Sequence, residues 1–250
     1  MARRGQKKHL KRLPAPRYWP IKRKEAKFTT RPIPGPHPGG HSLTLAIVLR
    51  EMLGYAVNMR EVKAILNSGQ VRVDGRIRKD PRYPIGMMDV LEIQGSEEKF
   101  RLIPKKNGGL RLVQIDDKEA SFKLCRVEKK MMVPGGRLQM TLHDGRNLLL
   151  PSGGKPADFN TLDTIQISVP DQKHMKTIPM EKGSYAVVSQ GKNVGIEGKI
   201  LEIEKRFGTH ASTVTIEDAE GNRFQTALEY VFVLGKKTSE VRMDSGGASQ

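Results

Sequence analysis

The spacing of apolar residues changes period in the stretch from Asn58 to Arg78. Met59, Val62, Ile65 and Leu66 recur at helical intervals, while Arg60, Lys63 and Asn67 fall on a second, polar stripe of the same helix. Asn58 suits the N-cap, and Glu61 stands at the third helical position, where its carboxylate can reach back to the cap's own N–H. Gly69 suits a left-handed stop after the last turn. The period then becomes two: Val71 and Val73 alternate with Gln70 and Arg72, and Asp74-Gly75 marks a tight hairpin turn. A strict two-residue loop pairs Val73 with Arg76 and Arg72 with Ile77, which places Ile77 on the face opposite the valines. Either the loop carries a bulged residue or Ile77 covers a second small contact.

Around this stretch the pattern predicts further elements. Residues 42–53 read as a helix, with Leu45, Val48, Leu49, Met52 and Leu53 on one side and Gly54 as its stop. It should pack on the Val62/Ile65/Leu66 stripe. Pro81 and Pro84 interrupt regular structure, and residues 89–93 close the unit as a strand. From residue 100 to 169 the texture is one of short alternating strands, over 100–103, 110–115, 122–133, 138–142, 147–150 and 164–169, with Asp144-Gly145 as a hairpin turn. In the last unit a strand over 185–188 leads through Gly191 and Gly195 to a second strand entered at Gly198. A glycine there fits a corner where another backbone comes close.

The expected fold is α+β and multidomain. A basic proline-rich arm (1–40), disordered when alone, precedes a helix–hairpin domain (41–99). A β-rich central domain (100–176), a small β-barrel (177–236) and a frayed tail (237–250) follow.

Charge gives this architecture a partner. The formal net charge is +17 and the pI near 10, which calls for a polyanion, nucleic acid before an anionic membrane. No apolar run is long enough to span a bilayer, and no hydrophobic signal segment follows the basic start. Cys125 is the single cysteine, which excludes internal disulfides and thiolate metal clusters and fits a reducing cytoplasm. With aromatics at 5%, phosphate contacts should dominate over base stacking.

The arm holds twelve Lys/Arg against Glu25, so 12 − 1 = +11 of the charge, and seven of the fifteen prolines. Such a composition cannot bury enough apolar surface to offset its ordering entropy. It reads as an arm that threads along RNA and orders there, or as a linker or localisation tail. Its candidate RNA contacts are Arg3, Arg4, Lys7, Lys8, Lys11, Arg12, Arg17, Lys22, Arg23 and Lys24, with Tyr18 and Trp19 placed to stack or wedge. In the helix–hairpin unit the candidates are Arg60, Lys63, Asn67, Gln70, Arg72, Arg76, Arg78, Lys79 and Arg82. Arg60, Lys63, Arg72 and Arg76 are expected to share one continuous groove. Lys192 and Lys199 flank the late glycine corner. The His143-Asp144 pair invites a catalytic reading, but adjacent residues in a turn should point apart and no nucleophile is evident. His37 and His41 lie in a glycine-proline linker, and no metal is assigned.

Helix, glycine, "VRVDG" and a basic follow-on resemble the S-four-type RNA-binding domain over residues 42–93, with one departure: Met59 stands where many such domains carry an arginine, and Arg60 follows. The run "KNVGIEGKI" resembles the KOW motif of small SH3-like barrels. The whole order, with "LHDGRN" in the middle, is similar to the small-subunit ribosomal protein family S-four-e of archaea and eukaryotes, and looks more like the archaeal form. That resemblance implies a non-enzymatic constituent of the small ribosomal subunit in the cytoplasm. Its partners would be ribosomal RNA and neighbouring ribosomal proteins, with no cofactor, small-molecule substrate or membrane. Two other readings compete with it. An RNA-modifying enzyme would need a nucleophilic aspartate in a sizeable catalytic domain. A KOW-type transcription-associated factor would bind polymerase and would not need the arm.

Overall fold

The computed structural model describes residues 9–96, 98–106, 108–150, 159–206 and 211–243. The Met59–Asn67 helix forms where the apolar period places it. Asn58 Oδ1 accepts the N–H groups of Arg60 (2.8 Å) and Glu61 (3.0 Å), satisfying two of the helix's orphan donors. The Glu61 carboxylate closes the box one residue early, accepting the N–H of Val57 at 2.7 Å instead of that of Asn58. The extended backbone of Asn58 brings this preceding amide within reach. Val62 and Leu66 are fully buried, and Met59 and Ile65 pack at the border of the same core. The chain then leaves the helix through Gly69 at φ 77°.

The predicted helix over 42–53 begins later. Leu43–Thr44 is a short strand paired with Pro84–Ile85, and helical winding covers Leu45–Ile47 and then, as a π turn, Val48–Met52. No side chain caps it. Tyr83 and Pro81 carbonyls accept the first amides, those of Leu45 and Ala46, so this helix start depends on the loop between the two prolines.

The hairpin has a strict two-residue loop with no bulge. Arg72 pairs with Ile77 and Val73 with Arg76, while Asp74 and Gly75 both take positive φ (49° and 69°), as the mirror-image turn requires. Ile77 is 49% exposed and rests beside Gly69, which settles its placement as a second small contact.

This hairpin is one edge of a five-stranded antiparallel sheet in the order Arg76–Ile77, Val71–Val73, Val90–Ile93, Glu98–Pro104, Leu110–Gln114. The last two strands were expected to open the central domain. They belong here because Leu91 pairs with Phe100, and Leu102 with Leu112, continuing one apolar face across the sheet. A boundary at 99/100 therefore falls inside a strand.

Residues 9–40 are folded onto that apolar face, where composition predicts disorder. Leu10–Lys11 pairs with Phe28–Thr29, and Ala15, Trp19 and Ile21 are buried in one core with Val62, Leu66 and Val71. The indole N–H of Trp19 and the hydroxyl of Tyr18 both donate to the Ser42 carbonyl at 3.0 Å. A buried aromatic of this size removes about 150–250 Å² from water, which the segment's overall polarity conceals. Arg23 replaces missing secondary structure by donating to the carbonyls of Arg12, Ala15 and Pro16.

A second five-stranded sheet runs Asn147–Leu149, Arg137–Leu142, Phe122–Val133, Thr164–Ser168, His174–Ile178. Only the last of these lacked a predicted counterpart, and its largely exposed pattern gives no apolar alternation to read.

The C-terminal sheet runs Arg223–Ala227, Thr213–Glu217, Glu197–Glu204, Tyr185–Val188, Val231–Gly235. Among the described residues no pairing joins its two outer strands, so the sheet is open and the expected closed barrel is not seen. The Val231–Gly235 edge is buried, sharing a core with Ile103, Val113 and Leu124 of the other two sheets, so burial protects it without closure. Gly198 has the predicted reason: a Cβ there would lie 2.0 Å from the carbonyl oxygen of Glu217. The predicted tail from 237 is described only to residue 243, where Val241 and Met243 are buried.

Candidate nucleic-acid interface

Because residues 9–40 fold back, a groove forms between the Phe28–Thr29 strand and the Met59–Asn67 helix. It encloses about 510 Å³ and is lined by His9, Phe28, Thr29, Thr30, Arg31, Arg50, Met59, Lys63, Pro81 and Arg82. Four permanent cations from separate segments of chain converge here. Arg50 pairs with Glu51 at 2.7 Å, and Arg82 Nε donates to the Arg31 carbonyl at 3.1 Å. Lys63 and Arg82 make no ion pair among the described residues. These two exposed cations give the groove a positive potential suited to phosphate.

The predicted contacts distribute unevenly around this groove. Lys63 and Arg82 line it. Arg60, Asn67, Gln70, Arg76 and Lys79 are exposed, and half-buried Arg78 lies over the Tyr83 ring at 4.4 Å. Arg72 does not join Lys63. With Val71 and Val73 turned towards the helix, strand alternation sends Arg72 to the other face of the sheet, opposite Glu92. There it borders a second groove with Glu92, Glu98, Lys99 and Asp117, so the expected continuous ridge of Arg60, Lys63, Arg72 and Arg76 is divided between two faces.

Of the arm's candidates, Lys11, Arg17, Lys22 and Lys24 are exposed. Arg3, Arg4, Lys7 and Lys8 lie outside the described residues. Trp19 is 3% exposed and unavailable as an RNA wedge, and Tyr18 is half-buried. Arg12 is also buried; its guanidinium donates to the carbonyls of Lys22 (2.6 Å) and Phe28 (3.3 Å), and Arg23 is spent on carbonyls as described. Lys192 and Lys199 are exposed on the C-terminal sheet. Sequence reasoning missed Phe28, Arg31 and Arg50. They share no period with the helix, and only the fold brings them beside Lys63.

Reasoning from sequence also missed a buried charge cluster behind the hairpin. Lys123 is fully buried, with its ammonium 2.9 Å from Asp74 and 2.9 Å from Asp144 and bonded also to Asp89. Asp89 meets His37 Nε2 at 2.9 Å, and Arg146 reaches both Asp74 and Asp144. Burial raises the Asp89 carboxyl, but His37 and Lys123 outweigh it and hold it well below the usual carboxylate range. Burial likewise raises Asp144, and Lys123, His143 and Arg146 bring it down to about 2. Desolvation opposes the charge on Lys123, and the three aspartates more than restore it, so its pKa rises. The cluster pins the Asp74-Gly75 turn to the central sheet.

His143 and Asp144 do not point apart as expected. Their ligand-type atoms and Cys125 Sγ all lie within 4.8 Å of one another. Each is engaged structurally. Arg126 N–H donates to His143 Nδ1 and Met87 O accepts from Nε2 (both 3.3 Å), an assignment for a neutral ring, and burial pushes its pKa down to about 3. Burial raises the Cys125 thiol, and the Lys123 ammonium already fills the place beside Asp144 that a metal ion would take.

Three family models match the chain: the RS4NT (NUC023) domain over residues 4–39, the S4 domain over 44–91 and Ribosomal family S4e over 96–174. Proteins described as small ribosomal subunit protein eS4 are similar over nearly its whole length. That of Staphylothermus marinus is 46% identical, covering 98% of this chain and 99% of the relative. That of Methanocaldococcus jannaschii is 40% identical over 97% and 100%. The crystal structure of the 30S ribosomal protein S4e from Thermoplasma acidophilum aligns with a TM-score of 0.67 and 33% identity, covering 80% of this chain and 99% of that one.

Proposed function

The chain belongs to the ribosomal S4e family, and from that premise we propose that it is a structural constituent of the small ribosomal subunit that binds ribosomal RNA, chiefly through phosphates. The observation that carries this reading is the groove in which Arg31, Arg50, Lys63 and Arg82 converge, with Lys63 and Arg82 in no ion pair among the described residues. Phosphates would replace the water around these cations and release condensed counterions. The exposed cations of the arm and helix, Lys11, Arg17 and Arg60 among them, would extend the contact onto neighbouring strands of folded RNA.

An active site is not needed to explain any of the buried polar chemistry. The carboxylates at its centre are neutralised by Lys123 and Arg146, and none stands free beside a nucleophile. The place of work is the ribosome, hence the cytoplasm, with ribosomal proteins as neighbours.

The test is a salt titration of binding to two different ribosomal RNA fragments. Lys63→Ala should reduce the slope of log affinity against log salt by roughly 0.7–0.9 on both fragments, leaving their ratio unchanged. An unchanged slope on both would remove Lys63 from the interface.

A further inference from the structure

One wall of the basic groove is aromatic. Phe28 is 50% exposed in a chain whose aromatics make up only 5% of residues, and it sits among cations. A lone exposed phenylalanine on a protein surface is ordinary. This one differs in how firmly it is held. Its strand partner is Lys11, and the next residue, Arg12, is buried with its guanidinium donating to the Phe28 carbonyl at 3.3 Å and to the Lys22 carbonyl at 2.6 Å. The backbone N–H of Arg12 also donates to the Lys27 carbonyl at 3.1 Å. Arg23, through the carbonyls of Arg12, Leu13, Ala15 and Pro16, and Trp19, in the core, fix the loop between the two strands. The ring is therefore presented on a preorganised support, with His9 tilted against it at 5.6 Å and the Lys27 ammonium 5.6 Å from its centroid.

An apolar ring flanked by cations is the chemistry that single-stranded nucleic acids use: a base stacks on the ring while the adjoining phosphates meet the cations. Paired bases are already stacked on each other and offer a protein only their edges and backbone. We infer that the groove takes an unpaired nucleotide of RNA, its base stacked on Phe28 and its flanking phosphates on Lys63 and Arg82. The inference rests on the reading of this groove as an RNA site and specifies what occupies it. The volume of about 510 Å³ admits a nucleotide-sized group.

The experiment uses the full-length protein and two RNA probes of equal length and charge. One carries 2-aminopurine in an unpaired position and the other carries it inside a duplex. The wild type should quench the unpaired probe. Phe28→Ala should lose that quench and about 5- to 150-fold in affinity for the unpaired probe, at unchanged salt slope, while its binding to the duplex stays as it was. Phe28→Trp should restore both. Phe28 is exposed, so both variants should keep the wild-type unfolding midpoint, which is measured alongside. Equal losses on both probes, or no loss on either, would overturn the stacked base; the latter is also the result expected if Phe28 meets an apolar side chain of another protein. Failure of the phosphate reading looks different: Lys63→Ala would then leave the salt slope unchanged on every probe.

Discussion

Lys63 and Lys123 carry the same ammonium group, the first in the open groove and the second in the buried cluster. Lys63 is exposed and has no carboxylate partner among the described residues; Lys123 is fully buried and has three. Taking an ammonium out of water costs several kcal/mol, so the interior accepts one only where carboxylates surround it. At the surface water screens it at little cost, and the charge stays available to an outside anion. Among the described residues the buried charges nearly balance, Arg12, Arg101 and Lys123 against Asp74, Asp89, Asp144 and Asp163, so the interior supplies none of the excess positive charge. What distinguishes these two lysines is their carboxylate neighbours and not their residue type.

The largest expected effect attacks the buried side of that contrast. Lys123→Met removes the central cation and leaves Asp74, Asp89 and Asp144 together with less compensation; denaturant unfolding should show a loss on the order of 3–5 kcal/mol. Lys63→Met in the same assay should stay within about 0.5 kcal/mol. Similar values for the two would erase the comparison.

Next in size is the apolar support of the groove. Leu66 is fully buried in the core that the helix shares with Trp19, and Leu66→Ala should cost about 2–5 kcal/mol. Equal stability of this variant and the wild type would mean the helix face is wrongly phased.

Acid should act on the cluster before it acts on the groove. His143 has its pKa lowered by burial from 6.5 to about 3, so the unfolded chain binds the proton first and stability declines as pH falls from about 6.5 towards 3. Asp144 has its pKa lowered from 3.8 to about 2; its contribution is present above 3.8 and is lost as pH falls through 2. The two windows overlap, and a melting series across pH 2–7 should show a continuous fall from about pH 6.5 downward. His143→Gln should flatten the upper part. A curve identical to the wild type's would take His143 out of the account.

The smallest effect on stability belongs to the arm's surface cations. Lys11→Ala and Arg17→Ala should leave the unfolding midpoint unchanged and reduce the salt slope of RNA binding by roughly 0.7–0.9 each if they touch phosphate. Arg12→Ala, one residue from Lys11, should instead lower the midpoint, because its guanidinium holds the carbonyls of Lys22 and Phe28. The contrast of neighbours 11 and 12 repeats, on a smaller scale, that of Lys63 and Lys123.

The sequence alone determined what depends on neighbours along the chain. The capped Met59–Asn67 helix, its stop at Gly69, a tight turn at Asp74-Gly75 and the Phe122–Val133 strand all follow from side-chain period and turn chemistry within a few residues, while the strict two-residue loop was settled by the strand register. The tertiary structure decided everything that depends on which distant segment arrives alongside. Trp19 becomes a core residue because the Ser42 carbonyl and the Leu66 side of the helix are there to receive it. Arg72 turns away from Lys63 because two valines on either side of it face inward. Asp74 looks like a turn residue and is also a counterion, since Lys123, far along the chain, enters behind it. A lysine's own sequence neighbourhood does not state whether carboxylates or water will surround it. That is fixed by contacts between remote segments, and the desolvation of charge gives those contacts their sign.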